Sequence, residues 1–201
     1  MARLLLIRHG QTKLHRADRF WGSTDIELSE EGIRQAEQLR DRLARIKIDT
    51  VYASTLVRAT ATAEIIASRH KIPVTPLPEL CECSFGYAEG LTFREISHRY
   101  PELAGELASG KAISFPGGES LGQLNLRVEK FLEKLKQHKP DARIIIVAHG
   151  GPLRLIICNL LNLGIEHWLQ LRIDRASLSV VETYPQGNIL NLLNDVSHLK
   201  S

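Results

Sequence analysis

Apolar residues along this chain follow two kinds of pattern. Short apolar or alternating runs, which predict β-strands, lie at 3–7, 49–53, 73–77, 142–148, 177–183 and 188–194. Between several of these runs, apolar residues recur every three or four positions, as they do on the buried face of a helix. Strands that alternate with helices in this way predict the α/β class, here a three-layer α/β/α domain with a mostly parallel sheet.

Two helices are predicted in the first half of the chain. The first begins after Ser29, a residue type that favours the N-cap, and its apolar stripe comprises Ile33, Ala36, Leu39, Leu43 and Ile46. The second begins near Ser54 or Thr55 and buries Leu56, Ala59, Ala63 and Ile66.

Two more helices are predicted in the second half. The sequence SLGQ (120–123) has the spacing of a capping box, and the helix that follows buries Leu124, Val128, Phe131 and Leu135 before Lys139 and Pro140 end it. The last helix has Pro152 at its first position and stops at Gly164. The polar, glycine-containing segment from about 84 to 119 is interpreted as a cap or lid within a single domain that spans 1–201.

Composition and charge narrow the class of protein. The chain has 201 residues, of which 43% are hydrophobic, enough for a full core. The net charge of +3 and the 5% aromatic content give no sign of a nucleic-acid surface, so a small anion is the expected partner. No apolar run approaches the roughly 18 residues of a membrane span. The odd number of cysteines, Cys81, Cys83 and Cys158, predicts reduced thiols and a cytoplasmic location.

Polar residues follow three of the predicted strands at the point where each strand ends. LLLIRHGQT (4–12) places Arg8, His9 and Gly10 after an apolar run, and IIIVAHGG (144–151) repeats the pattern with His149 and Gly150. Arg58 falls in the first turn of the helix after the second strand. Because the carboxyl ends of parallel strands form the ligand crevice of an open α/β sheet, these side chains should meet there.

Two arginines and two histidines in one crevice indicate phosphoryl transfer. A guanidinium group can donate two parallel hydrogen bonds to two phosphate oxygens. A neutral imidazole can attack phosphorus and become covalently phosphorylated. Spacing alone does not rank His9 above His149 as the nucleophile. Taken by itself, the first junction is also compatible with a surface arginine, a core histidine and a glycine that allows a turn.

An ordered series of motifs resembles the histidine phosphatase superfamily, in the branch that contains cofactor-dependent phosphoglycerate mutases and related phosphatases. The motifs are LIRHGQT (6–12), GSTDIELSEEGIRQA (22–36), VYASTLVRATATAE (51–64), ELCECSFGYAEG (79–90), FPGGES (115–120) and VAHGGPLR (147–154). The resemblance implies a phosphoglycerate mutase-like fold and a phosphohistidine at His9. It also implies that Glu82 donates a proton to the leaving group, and that the phosphate pocket comprises Arg8, Arg58, His149 and Gly150.

The resemblance is imperfect around the pocket. Asparagine is common in the family where this chain has His15, and glutamine where it has Ala61. His15 is therefore interpreted either as a phosphate ligand in place of the asparagine or as an exposed residue. Further candidate substrate contacts are Gly22, Ser23 and Thr24, together with Trp21, Phe85 and Arg94, although Trp21 and Phe85 are equally compatible with packing.

The activity that the resemblance implies is metal-independent and cofactor-free hydrolysis of a small phosphomonoester. The compact cap and FPGGES are similar to those of the α-ribazole-5′-phosphate phosphatases of cobalamin synthesis and of broad-specificity phosphatases. Sugar-bisphosphate phosphatase and phosphoglycerate mutase are the alternatives, and the absence of paired arginines in the cap favours hydrolysis over mutase activity. A non-catalytic phospholigand-binding protein is a more distant alternative. The segment LGIEHWLQL, with Trp168, is interpreted either as core or as a homodimer interface.

Overall fold

A computed structural model describes residues 2–14, 19–109 and 113–199 of the chain. The six predicted strands are all present: β1 (Ala2–Arg8), β2 (Thr50–Ser54), β3 (Val74–Leu77), β4 (Arg143–Ala148), β5 (Leu178–Tyr184) and β6 (Gly187–Asp195). They form one sheet in the order β3-β2-β4-β1-β5-β6. The first four strands in this order are parallel, and β5 and β6 are antiparallel, so the predicted mostly parallel sheet is confirmed.

Helices cover both faces of the sheet. Their bounds are α1 (Glu30–Leu43), α2 (Val57–Ala67), α3 (Phe93–Arg99), α4 (Pro101–Ser109), α5 (Leu121–Leu135) and α6 (Gly150–Leu160). Short 3₁₀ turns occur at Pro78–Leu80, Gly86–Ala88, Ile165–Gln170 and Ser197–Leu199. Alternate residues of β1 and β4 pack against α1 and α2 on one face and against α5 and α6 on the other, which gives the three predicted layers.

The capping predictions are confirmed, but several helix boundaries are wrong. Ser29 accepts a hydrogen bond from the Gly32 N–H, and Ser120 and Gln123 satisfy each other's backbone donors. Ile33, assigned to the buried stripe of α1, is 43% exposed. The second helix, predicted to begin near Ser54 or Thr55, begins at Val57, because Ser54 is the last residue of β2.

The last two helices are shorter than predicted at their C-terminal ends. α5 ends at Leu135 rather than at Lys139, and α6 ends at Leu160 rather than at Gly164. α6 also begins at Gly150, so Pro152 occupies its third position. The first N–H groups of a helix have no acceptor within the helix, and proline is tolerated there for that reason.

The segment 84–119 is more regular than its composition suggests, because it contains α3 and α4. Thr92 and Glu95 form a capping box at the start of α3. The two ends of the segment are paired: the Glu119 N–H donates to the Ser84 carbonyl at 2.8 Å, and the Ser84 N–H donates to the Glu119 carboxylate at 2.9 Å. The assignment of this segment as a cap on a single domain stays a prediction.

Among the described ranges, no helix combines the length and the apolar character that a membrane crossing requires. The three cysteines carry free thiols. Trp168 is buried in the core, which agrees with the interpretation of its segment as core rather than as a homodimer interface.

Candidate active site

Three strand-to-helix junctions meet at the carboxyl end of the sheet. β1 and β4 are adjacent, with Arg8 opposite Ala148 in the register, so His9 and His149 leave the sheet side by side. Their ring centroids are 4.9 Å apart. Arg58, at the second position of α2, reaches the same place from the next strand in the sheet. The structure therefore brings the predicted pair of histidines and the predicted arginines together.

The hydrogen bonds of His9 define its tautomer. Its Nδ1 lies 2.7 Å from the carbonyl oxygen of Gly10, which can only accept, so Nδ1 carries the proton and Nε2 has the free lone pair. Burial lowers the pKa of His9 well below its usual value, and the charges of Arg8 and Arg58 lower it further. His9 is thus a neutral imidazole whose Nε2 is available as a nucleophile.

The backbone around His9 is held from both sides. The His9 N–H donates to the Ala148 carbonyl at 3.0 Å, and the Ala176 N–H donates to the carbonyls of Arg8 and His9. Ala176 adopts a left-handed conformation with φ of 53°. On the other side, Gly32 packs tightly against the backbone of Gly10 and Gln11. A Cβ on Gly10 would lie 2.5 Å from the Gly32 carbonyl oxygen, and a Cβ on Gly32 would lie 2.0 Å from the Gln11 carbonyl oxygen. This packing requires glycine at position 32.

Arg58 is buried and is positioned by backbone carbonyls. Its Nη1 donates to the Thr24 carbonyl at 2.8 Å and its Nη2 donates to the Gly22 carbonyl at 2.7 Å. Its Nε donates to Nδ1 of His149 at 3.2 Å. The guanidinium plane is therefore fixed while two of its N–H groups remain for a ligand.

Both ring nitrogens of His149 have protein partners. Since Nδ1 accepts from Arg58, Nε2 carries the proton, and it lies 2.8 Å from the Ser54 hydroxyl. Burial, followed by the neighbouring His9, lowers the pKa of His149 well below its usual value. In this state His149 orients Arg58, and donation from its ring to a phosphoryl oxygen requires the bond to Ser54 to break. The place of His149 in the phosphate pocket stays a prediction.

Arg8 has a buried hydrogen-bond donor that no described protein group satisfies. Its Nη1 donates to the Ile173 carbonyl at 2.6 Å, but its Nε is buried without a hydrogen-bond partner in the structure. Burial lowers the pKa of Arg8 to about 10, so the group stays charged at neutral pH. A buried donor without an acceptor is costly, and an anion bound at this position would satisfy it.

Glu82 lies in the same cavity and touches the start of α6. Its carboxylate accepts hydrogen bonds from the N–H groups of Gly151 at 3.1 Å and Cys83 at 3.0 Å. A Cβ on Gly151 would lie 2.4 Å from Glu82 Oε1. Because α6 begins at Gly150, the Gly151 N–H has no acceptor within the helix and can donate to the Glu82 carboxylate.

The predicted substrate contacts Gly22, Ser23 and Thr24 have other partners and do not line the cavity. Their backbone and hydroxyl donors converge on the carboxylate of Glu89, with the Ser23 N–H at 2.8 Å and the Thr24 hydroxyl at 2.9 Å. The carbonyls of Gly22 and Thr24, as described above, accept hydrogen bonds from Arg58. A carboxylate that accepts this many hydrogen bonds fixes the position of the loop. The loop in turn orients Arg58, and it is Arg58 that faces the ligand site. His15 lies outside the described residues.

The cavity has a volume of about 410 Å³. Trp21 and Phe85, predicted as contacts, line it; Arg94 does not. Sequence reasoning gave no role to Glu89, Arg154 or Arg175. Arg154 could have been found, because it follows Gly150 by four residues and so lies on the same face of α6. Arg175 has no local signal, since a turn in front of β5 carries it to the cavity.

No group of three or more histidine, cysteine, aspartate or glutamate side chains in 2–14, 19–109 and 113–199 could hold a metal ion. Apart from Glu82, the acidic and basic side chains among the described residues of the cavity lining are arginines and His9, and arginines suit phosphate or carboxylate.

Comparison with known proteins places these features in context. Residues 4–196 match the family model described as histidine phosphatase superfamily (branch 1). Phosphoserine phosphatase 1 of Hydrogenobacter thermophilus is 31% identical over 200 residues, which cover 99% of this chain and 95% of that protein. Adenosylcobalamin/alpha-ribazole phosphatase of Escherichia coli is 31% identical over 193 residues, covering 96% of this chain and 95% of the relative. The crystal structure of a putative alpha-ribazole-5′-P phosphatase from Escherichia coli superimposes with a TM-score of 0.88 at 30% identity, covering 96% of each chain.

Proposed function

Because this chain belongs to branch 1 of the histidine phosphatase superfamily and is a phosphatase of small phosphorylated metabolites, we propose that it hydrolyses phosphate monoesters through a phosphohistidine at His9. The observation that carries this mechanism is the tautomer of His9, whose Nδ1 bond to Gly10 leaves the Nε2 lone pair free. A neutral imidazole in a cluster of guanidinium groups is a competent nucleophile toward a phosphate dianion.

In the first step, Nε2 of His9 attacks phosphorus and the bond from phosphorus to the ester oxygen breaks. Arg8 and Arg58 bind the equatorial phosphoryl oxygens, on which the charge of the transition state lies. The leaving alkoxide takes a proton from Glu82, so the alcohol departs neutral and Glu82 becomes a carboxylate.

In the second step, a water molecule attacks the phosphohistidine. Glu82 accepts a proton from this water, the bond between phosphorus and Nε2 breaks, and inorganic phosphate leaves. His9 returns to its neutral form with the proton on Nδ1, and Glu82 is again protonated. Each residue thus ends the cycle in the state in which it began.

The arginines supply the positive charge that other phosphatases take from divalent ions, so the reaction we propose needs no metal and no cofactor. The substrate is a small molecule. α-Ribazole-5′-phosphate and phosphoserine are the candidates that the names of the relatives supply. Sugar-bisphosphate hydrolysis, phosphoglycerate mutase activity and phospholigand binding without turnover remain as alternative outcomes.

The experiment that tests the proposal measures phosphate release from a panel of phosphomonoesters in the presence of EDTA, with His9→Ala as the control. Wild-type protein should release phosphate and form an acid-labile phosphoprotein in a rapid quench, and His9→Ala should do neither. Activity of His9→Ala within tenfold of wild type would exclude His9 as the nucleophile. Conversion of 3-phosphoglycerate to its 2-isomer without phosphate release would indicate a mutase.

A further inference from the structure

The segment that carries Glu82 is not held by a strand or a helix of its own. It follows the 3₁₀ turn at Pro78–Leu80 and lies outside the helices and strands of the sheet and its two layers. No hydrogen bond joins the backbone of Glu82 or Cys83 to the backbone of another described residue. The position of Glu82 therefore depends on the side chains that bind this segment.

One side chain, Arg127 of α5, binds several carbonyl groups of this segment. Its Nη1 donates to the Glu79 carbonyl at 2.9 Å and to the Cys81 carbonyl at 3.1 Å, with the Pro78 carbonyl at 3.4 Å. Its Nη2 donates to the Glu82 carbonyl at 3.3 Å. Because a guanidinium group presents its five N–H donors in one rigid plane, Arg127 fixes these carbonyls relative to one another as well as to α5.

Glu119 holds the guanidinium in this orientation and also binds the chain on the far side of Glu82. The Glu119 carboxylate accepts from Arg127 Nε at 2.7 Å and Nη2 at 2.8 Å, and it accepts the Ser84 N–H at 2.9 Å. Burial alone would lower the pKa of Arg127, but the hydrogen bond and the charge of Glu119 raise it above its usual value. The ion pair therefore binds the chain on both sides of Glu82, at Cys81 and at Ser84.

The hydrogen bonds of Arg127 reach the cavity through Glu82. Glu82 lines the cavity, whereas Arg127 and Glu119 are not among the described residues of the lining. The Gly151 N–H lies 3.1 Å from Glu82 Oε1, so α6 binds the carboxylate while Arg127 binds the backbone of the same residue. A proton donor must lie within hydrogen-bond reach of the leaving oxygen, and a misplacement of about 1 Å can lower the rate by about 100-fold.

We propose that Arg127 is a positioning residue for the proton donor: it fixes the backbone of Glu82 so that the carboxylate reaches the leaving-group oxygen. This inference rests on the proposed function, in which Glu82 protonates that oxygen. Loss of Arg127 should therefore impair hydrolysis to the extent that a leaving group needs a proton. Phosphate binding by Arg8 and Arg58 should stay intact.

Two esters with different leaving groups test the proposal. The first is the alkyl phosphate that the wild type hydrolyses fastest, and the second is p-nitrophenyl phosphate, whose leaving group departs without a proton. Arg127→Gln should lower kcat/KM for the alkyl ester by about 10- to 100-fold and for p-nitrophenyl phosphate by less than about threefold. The inhibition constant of inorganic phosphate should change by less than about threefold. Equal losses on the two esters would overturn the proposal.

A double variant shows whether Arg127 acts through Glu82. In a Glu82→Gln background the proton donor is already absent, so adding Arg127→Gln should lower kcat/KM for the alkyl ester by less than about threefold further. A residue that only stabilises the fold would cause the same loss in both backgrounds, because the effects of independent sites multiply. The same loss in both backgrounds would assign Arg127 to folding and overturn the proposal.

Further variants keep the test valid if Arg127→Gln folds poorly. Arg127→Lys keeps a charge beside Glu119 but lacks the planar fork, so it should restore the melting temperature more fully than the ratio of the two kcat/KM values. Glu119→Gln weakens the pair from the other side and should shift this ratio in the same direction as Arg127→Gln. Arg3→Gln is the matched control, because it removes the ion pair with Glu182 at the opposite end of β1 and should leave the ratio unchanged. A wild-type ratio in both Arg127→Lys and Glu119→Gln would overturn the proposal.

The Glu82→Gln variant separates the failure of this inference from that of the proposed function. If the wild type hydrolyses neither ester, or if Glu82→Gln loses equally on both, the proposed role of Glu82 fails and this inference fails with it. If Glu82→Gln loses more on the alkyl ester and Arg127→Gln does not, only the inference about Arg127 fails.

Discussion

Glu89 and Arg58 bind the same short loop from opposite sides. The Glu89 carboxylate accepts the N–H groups of Gly22 and Ser23, and Arg58 donates to the carbonyls of Gly22 and Thr24. The two side chains have no direct hydrogen bond, yet the peptide units between them link their positions. Glu89 therefore positions Arg58 without approaching the substrate.

Glu89→Gln should impair catalysis through this loop. The amide keeps the size of the side chain but replaces one acceptor oxygen with a donor group, which faces the N–H and O–H donors of residues 22–24. Since hydrogen bonds to a charged group contribute about 1.5–3 kcal/mol, we expect kcat/KM to fall by about 10- to 100-fold. The inhibition constant of inorganic phosphate should rise in parallel, because Arg58 is displaced.

Glu133→Gln, on the exposed face of α5 and paired with Lys136, is the matched control and should leave both values unchanged. A Glu89→Gln protein that loses thermal stability but keeps wild-type phosphate inhibition would show that Glu89 has a structural role only.

Glu82→Gln should reveal its effect through the leaving group. A glutamine cannot supply a proton to a departing alkoxide, whereas p-nitrophenolate leaves without one. The loss in kcat should therefore be at least about tenfold larger for an alkyl phosphate than for p-nitrophenyl phosphate. Steady-state rates on the two esters measure this ratio, and equal losses would remove Glu82 from the role of proton donor.

The buried histidines should make the protein less stable in mild acid. The folded pKa of both His9 and His149 is well below the usual value, so below about pH 6.5 the unfolded chain binds protons that the folded chain does not. Folding stability therefore falls as the pH falls, by up to about 1.4 kcal/mol per pH unit for each histidine.

Urea unfolding of wild type and His149→Gln between pH 7 and pH 5 measures this contribution. As the pH falls, the free energy of unfolding of the wild type should decrease more steeply than that of His149→Gln, and the difference is the contribution of His149. Parallel curves would mean that His149 titrates alike in the folded and unfolded states. Nitrogen NMR at pH 6 should also find His9 protonated on Nδ1 and His149 protonated on Nε2.

Gly32→Ala should destabilise the loop that carries His9. The added Cβ would lie 2.0 Å from the Gln11 carbonyl oxygen, and backbone cannot yield as a flexible side chain does. We expect a loss of about 1–3 kcal/mol in the free energy of unfolding and a lower kcat. Gly105→Ala is the control: its Cβ would meet nothing within 4 Å, and inside α4 it should stabilise by up to about 1 kcal/mol. Equal melting temperatures for the two variants would contradict this reading of the contact.

The sheet and the meeting of the strand-end residues could be predicted because both follow from local patterns. An apolar run that ends at Arg8 or at Ala148 marks the end of a buried strand, and parallel strands place those ends at one edge. Helix ends were less predictable, because the apolar stripe of α1 continues to Ile46 although the helix stops at Leu43. The apolar periodicity indicates which face of a helix is buried, but it does not indicate the residue at which the helical hydrogen bonds end.

The roles of Glu89 and Arg175 could not be predicted from the sequence. Each depends on loops that lie far apart in the chain: Glu89 meets residues 22–24 across more than sixty positions, and Arg175 reaches the cavity through the contacts of Ala176. Neither residue lies on the periodic face of a predicted helix or strand, so its partners follow only from the tertiary arrangement.

The pairing of Ser84 with Glu119 makes the intervening segment exchangeable. Its two ends leave and rejoin the body at adjacent points, and Arg127 of α5 fixes them by binding the Glu119 carboxylate and the Cys81 carbonyl. A graft between these two residues would have to restore this pair of hydrogen bonds, the contacts of Glu89 with residues 22–24, and the buried packing of Ile96, Leu103 and Phe115 in the core. Since Phe85 and Phe93 of this segment line the cavity, transplanting it between relatives offers a way to alter leaving-group selectivity without changing His9 or the sheet, provided that the transplanted segment keeps a glutamate at position 89 to hold the loop that positions Arg58.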